Sequence, residues 1–346
     1  MSLRDRLIRR IRTDGPMTVA EWMALCLWDP AEGYYATRQP LGRVGDFVTA
    51  PEVSQMFGEL TGLAVAQAWA DRGGGQMVLC ELGPGRGTLM ADMMRAAGRV
   101  PGFADAVSIH LVEASAPLHA EQERALSHLS PTWHETLETV PEGPLLLVAN
   151  EFFDALPVRQ FIRSEAGWRE RVVGLVDGAP AFGLTDPVPM ERGAPMGTLI
   201  ETRPAAEPVM AEIARRIGTH GGAALIVDYG SWSEPGDTLQ AVRAHQKVSP
   251  LEAPGKADLT AHVDFEALAA LAAPLAASLV PQGAWLEALG LTPRAQALAA
   301  RLRGDALEQH VAAHRRLSHP EEMGALFKIL GLTRRGDPPL PGVPSA

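Results

Sequence analysis

Cysteine is almost missing: Cys26 and Cys80 are the only two in 346 residues, too few for a disulfide framework. One sits in an apolar helical pattern and the other in an apolar strand, so both are expected to be reduced core thiols in a reducing compartment. A positive charge excess is missing too. Asp and Glu number 41 against 31 Lys and Arg, a net charge of −10, and without a basic field nucleic acid and anionic membranes are disfavoured partners. No apolar run approaches the length of a membrane helix, so no membrane insertion is expected, and the start of the chain has no signal-peptide core. The Arg-rich segment Leu3 to Arg12 imitates a mitochondrial presequence, but Asp5 and Asp14 argue for a surface helix and a bacterial cytoplasm. Internal repeats are also lacking. What remains, with 46% hydrophobic residues, suits one large domain or two modest ones around a buried core.

The stretch Val78 to Leu89 carries the strongest local signal. An apolar run ends in Glu81, glycines follow at every second position (Gly83, Gly85, Gly87), and a helical pattern continues through Met90 and Met94. Strand, tight loop and helix in that order open a nucleotide-binding α/β unit. Glycine allows torsions and a close ligand approach that a Cβ would block, and the helix start offers free N–H groups. A dinucleotide fingerprint needs Gly-x-Gly-x-x-Gly, whereas Thr88 stands here in place of the last glycine. Glu81, at the carboxyl end of the strand, can receive the ammonium group of an amino-acid ligand, from which a pyrophosphate gains nothing. The pattern resembles motif I of class I S-adenosyl-L-methionine (SAM) methyltransferases; a glycine-rich turn without a ligand is the alternative. A second apolar run, Val107 to Val112, ends in Glu113; alone it reads as a solvated strand end, but after the glycine loop it is placed where a carboxylate can accept from both hydroxyls of a ribose.

Elsewhere, Thr18 and Glu21 have capping-box spacing before an apolar helix. Thr49 and Glu52 repeat it before a long helix from about Val53 to Ala70, and Asp46 lies in the same aperiodic loop. By spacing alone, Asp46, Thr49 and Glu52 read as caps and terminators. The run Pro144 to Ala149 ends in Asn150-Glu151-Phe152-Phe153-Asp154, a polar and aromatic cluster at a strand's carboxyl end, where doubly wound sheets bind ligands. Glu151 and Asp154, with Phe152 and Phe153 between them, suit a cationic planar group held by hydrogen bonds and stacked on a ring; alternatively Asp154 caps a helix and both rings are core. The residues from Arg159 to about 204 read as an antiparallel meander inserted after the fourth strand. A helix from about Ala205 to Ile217 and a strand ending in Asp228-Tyr229-Gly230 follow. Ser231 to Ala261 reads as a long loop, Leu326 to Leu330 as a final antiparallel strand, and the proline-rich tail from Asp337 as disordered. The expected division is a helical region with a cofactor lid (1–70), a methyltransferase core (71–336) and a flexible tail (337–346).

Four blocks together resemble the MidA-like SAM-dependent methyltransferases, whose mitochondrial members are protein arginine methyltransferases needed for assembly of respiratory complex I. They are Gly45 to Ser54, Glu81 to Leu89, Asn150 to Val158 and Asp258 to Phe265. The resemblance implies a class I Rossmann-like doubly wound α/β fold, SAM as cofactor, and a protein substrate, possibly a complex I subunit. It turns the loop Gly45 to Glu52 into a lid over the cofactor and the 151–154 block into the acceptor site. On that basis Glu81, Gly83, Gly85, Gly87, Glu113, Asn150 and Thr49 are assigned to the cofactor, and Glu151 and Asp154 to catalysis. Asp46, Glu52, Phe152, Phe153, Asp228, Tyr229 and His262 are assigned to the substrate. The rivals are a non-catalytic assembly chaperone with a methyltransferase fold and a small-molecule methyltransferase.

Overall fold

The structure is a computed structural model that describes residues 1–37, 48–233 and 236–345. By contacts it forms two compact units. Their boundaries cut across chain order: the first 37 residues share a unit with the meander, whereas the long helix Gln55–Asp71 shares one with the main sheet.

The unit of Val48–Phe153, Pro208–Trp232 and Val263–Ala346 is mixed α/β. The strands along the main path of its sheet are β1 (Met77–Leu82), β2 (Val107–Val112), β3 (Thr132–His134), β4 (Leu145–Asn150), β5 (Gly222–Ser231), β6 (Ala276–Pro281) and β7 (Phe327–Thr333), and the two-residue strand Val263–Asp264 pairs in parallel with the end of β5. Along that path the order is β6-β7-β5-β4-β1-β2-β3. The five from β5 to β3 are parallel, while β7 runs antiparallel to β5 and β6 antiparallel to β7. Every residue of β1 and β4 is buried, as expected of strands covered on both faces, which read as unbroken apolar runs. Strand β3 escaped the sequence reading because it has three residues, none of them fully buried.

Helix α1 (Gln55–Asp71) crosses α2 (Thr88–Ala97) at glycine. A Cβ on Gly62 would stand 2.4 Å from the Met93 carbonyl oxygen and 2.6 Å from its Cα, and one on Gly58 would stand 2.5 Å from Asp92 Cβ. Backbone cannot give way as a side chain can, so Gly62→Ala should destabilise the protein by about 1–3 kcal/mol. Urea titration will measure the loss, and an unchanged midpoint would mean the helices can slide apart freely. The tail does not meet the expectation of disorder. Leu340 and Val343 are buried, Arg72 donates to the Pro338 carbonyl (2.6 Å) and Trp285 to that of Pro341 (3.0 Å). Two apolar side chains and two backbone acceptors close to them in the chain suffice to hold a short segment whose composition alone suggests solvation.

The other unit comprises the described residues of Met1–Phe47, Asp154–Glu207 and Ser233–His262. Capping boxes at Ser2 and Thr18 open helices Leu3–Asp14 and Val19–Trp28, whose faces bury Leu3, Leu7, Ile11, Trp22 and Met23 in one cluster. The meander is a five-stranded antiparallel sheet: Met17–Thr18, Gly167–Val176, Arg159–Ser164 and Leu199–Thr202 in order, with Ala179–Val188 paired to Gly167–Val176. The stretch read as one long loop holds a second sheet, of Gln246–Val248, Gln240–Arg243 and Asp258–Thr260. Strands of three or four residues are too short for alternation to register.

Candidate functional site

Strand order reverses between β1 and β4, so the crevice at their carboxyl ends is the favoured ligand position in such a sheet. The loop leaving β1 has φ of +61° at Gly83, +55° at Gly85 and +81° at Gly87, all in the left-handed region. A Cβ at Gly83 would stand 3.0 Å from the ring of Phe152. Gly87 occupies the N-cap of α2 without a side chain to cap it, so first-turn N–H groups of that helix are left for other partners. Glu52 accepts from the Thr88 hydroxyl at 2.7 Å and lies 3.7 Å from Arg86, which ties the described part of the Gly45 to Ser54 block to the loop.

Two acids stand at the strand ends, as the apolar runs implied. Glu81 is 2% exposed. Burial first, and the charge of Glu113 second, push its carboxyl up to about 8, against a bond from the Met90 backbone. Glu113 is also raised by burial, opposed by hydrogen bonds: Oε1 accepts from the Ser115 N–H (2.7 Å) and Oε2 from Gln122 Nε2 (2.9 Å). Gln122, fully buried on helix α3 (Ala116–Leu126), also donates to the Gly85 carbonyl at 2.7 Å. It is absent from the candidates that the sequence motifs supply. Its signal is a polar residue in the buried i, i+4, i+8 stripe of Leu118, Gln122 and Leu126.

At the end of β4, Asn150 Nδ2 donates to Glu151 Oε1 at 3.1 Å. That same oxygen accepts the Ala50 N–H at 2.9 Å. Thr49 is the N-cap of helix Ala50–Val53 but makes no side-chain capping bond; the carboxylate that meets this helix start comes from Glu151, distant in sequence. Glu151 has φ of +51°, uncommon for a residue with a side chain, and its N–H donates to the Val227 carbonyl at 2.8 Å. Phe152 and Phe153 meet edge to face at 5.2 Å, Phe152 half-buried and Phe153 fully buried. Asp228, fully buried, accepts from the N–H groups of Phe153 (3.1 Å) and Tyr229 (3.0 Å), which fixes the turn after Glu151. Tyr229 is buried, its ring 5.4 Å from Phe327.

Asp154 and His262 belong to the other unit. Asp154 is buried, and its carbonyl accepts the Ala261 N–H at 3.0 Å. His262 donates its N–H to the Thr238 hydroxyl at 2.9 Å and lines a polar cleft of about 480 Å³ with Asp237, Gln240 and Lys247. Asp46 lies outside the described residues.

Among the described residues, Glu81 Oε2 and Asn150 Oδ1 are buried acceptors without a protein donor. Buried polar atoms are ordinarily bonded, so this crevice calls for a ligand that brings N–H donors and positive charge. The amino-acid end of SAM fits that demand, and the bare peptide loop and Glu113 suit the rest of such a molecule.

The comparisons agree with that chemistry. Residues 60–282 match a family model described as "Putative S-adenosyl-L-methionine-dependent methyltransferase". The mitochondrial protein arginine methyltransferase NDUFAF7 of Mus musculus is 37% identical, over 94% of this chain and 83% of its own. That of Xenopus laevis is 34% identical, over 96% and 84%. The crystal structure of a Burkholderia thailandensis protein bound to S-adenosyl-homocysteine superposes with a TM-score of 0.83 at 28% identity, covering 98% of this chain and 94% of that one. The chain belongs to this family of S-adenosyl-L-methionine-dependent methyltransferases.

Proposed function

We propose that the protein methylates an arginine side chain of a protein substrate, with the sheet acting as the class I, Rossmann-like doubly wound variant of the α/β fold. The observation that carries the cofactor end is the pair of buried acceptors without donors, Glu81 Oε2 and Asn150 Oδ1. The names of the relatives supply the arginine. Glu81 and Asn150 receive the amino-acid end of the cofactor, Gly83, Gly85 and Gly87 let the backbone lie against it, and Glu113 accepts from its ribose. Thr49 is the further candidate for the cofactor, and Glu52 holds the lid block beside the loop through Thr88. Bound SAM supplies an electrophilic methyl group on a sulfonium.

The acceptor end rests on Glu151, with Asp154 as second candidate. Arginine stays protonated far above neutral pH, so a carboxylate serves it best by orientation: it draws the guanidinium charge away from the reacting nitrogen and takes up the proton that leaves. Phe152 offers a ring face, while Asp228, Tyr229 and Phe153 support the turn that carries Glu151. The substrate in the mitochondrial relatives' setting would be a complex I subunit, and here a bacterial counterpart in the cytoplasm. No helix of the described residues is long and apolar enough to cross a membrane. Mass spectrometry of methylated arginine in cells with and without the protein tests the reading, which fails if the two profiles are identical.

Glu81 adds a prediction about protons. The unfolded chain ionises it near the ordinary 4.5, the folded chain near about 8. Between those values the folded state holds more protons than the unfolded, so this group's contribution to stability falls as pH rises through the window. A cation placed against Glu81 reverses the shift. Binding of SAM at pH 7 should therefore release a proton, measurable by calorimetry in buffers of different ionisation heat, and Glu81→Gln should release less. Equal release by both would remove Glu81 from the cofactor site.

A further inference from the structure

We infer that Gln122 is a positioning residue for the cofactor, which ties the Gly85 peptide to the Glu113 carboxylate through one buried amide. The inference rests on the reading of the glycine loop and Glu113 as the cofactor site. Gln122 is fully buried, and a buried amide is costly unless its polar atoms are bonded. Nε2 donates to the Gly85 carbonyl (2.7 Å) and to Glu113 Oε2 (2.9 Å), while Oε1 accepts from the Trp133 indole N–H (2.9 Å). Both amide hydrogens are used. The orientation follows from the partners: an indole N–H only donates, and a carbonyl only accepts, so the oxygen must face Trp133 and the nitrogen the other two. His119 packs edge-on against Trp133 at 4.7 Å and backs the indole.

The arrangement determines more than stability. Glu113 has one oxygen bonded by the Ser115 N–H and the other by Gln122, so its carboxylate plane is set, and with it the direction in which lone pairs meet a diol. The Gly85 peptide, which the cofactor must lie against, turns with the same amide. The short edge strand β3 thereby gains a part in the site, because it carries Trp133. A side chain that donates twice and accepts once at this reach is a glutamine; methionine has the length without the bonds, and glutamate would set a charge between two acceptors.

Three ligands and three variants test this by calorimetry, with SAM kinetics beside them. Gln122→Met should weaken S-adenosyl-homocysteine by about tenfold or more. Methylthioadenosine, which keeps the ribose and lacks the amino-acid end, should weaken by the same factor. KM for SAM should rise with kcat held within about twofold. In a Glu113→Gln background the further loss from Gln122→Met should shrink to about threefold or less, because the amide acts through that carboxylate. Trp133→Phe, which removes the donor that orients the amide, should cost about threefold and decides the matter if Gln122→Met does not fold. Binding of S-adenosyl-homocysteine by Gln122→Met within about twofold of the unaltered protein, or an equal loss in both backgrounds, overturns the inference. Failure of the unaltered protein to bind S-adenosyl-homocysteine would instead overturn the reading of the loop.

Discussion

Glu151→Gln is expected to cut methyl transfer by about a hundredfold or more while S-adenosyl-homocysteine binding stays within about twofold. The side chain is aimed by its backbone. At φ of +51° a residue other than glycine carries strain on the order of 1 kcal/mol, and such strain persists where the surroundings impose it. Here they do so from both ends: the N–H is held by the Val227 carbonyl and the carboxylate by the Ala50 N–H and Asn150. Glutamine keeps the shape and an oxygen for Ala50, so the fold should stand. What it loses is the charge that would orient a guanidinium, an interaction strongest in the transition state. Transfer of labelled methyl to protein arginine is the assay, with complementation of complex I assembly beside it. Undiminished transfer would remove Glu151 from the chemistry and leave it as a tie to helix Ala50–Val53. Lost transfer with normal assembly would show that the cell needs the protein as a scaffold.

Gly85→Val should reduce S-adenosyl-homocysteine binding by about a thousandfold, on the order of 4 kcal/mol. The backbone at Gly85 has φ of +55°, where an L-residue pays about 1–2 kcal/mol and a β-branched one more. The loop can relieve the strain only by rotating the peptide, which turns the Gly85 carbonyl from Gln122 and puts a branched side chain where the ligand must approach. The sheet should survive, because β1 ends before the loop with every residue buried; circular dichroism and thermal melting check that, and calorimetry checks the binding. Normal affinity in a folded variant would exclude the glycine loop from the site, and binding of NAD in place of SAM by the unaltered protein would overturn the choice of cofactor.

The elements legible in advance were those whose pattern is local. Strands β1, β2, β4 and β5 announce themselves as apolar runs because both faces are covered. Glu81, Glu113 and Asn150 stand one residue inside or beyond those runs, so their placement at carboxyl ends followed at once. The glycine loop was legible because three left-handed torsions within five residues leave few side chains to choose from. The capping box at Thr18 is local in the same way and forms as spaced. The same spacing at Thr49 misleads, since the helix start there is met by Glu151, a partner that no window along the chain contains.

The sequence by itself thus determined the strand–loop–helix that opens the candidate site, the acids at its strand ends and the family motifs around them, since each depends on residues a few positions apart. The tertiary structure alone decided which groups close on one another. It gave Glu151 its left-handed torsion and its bond to Ala50, made Gln122 the link between Gly85 and Glu113, folded the stretch after Ser231 into a small sheet, and set Asp154 and His262 in the unit of the meander. Such partners are brought together by packing over long separations in the chain, and local pattern carries no record of that distance.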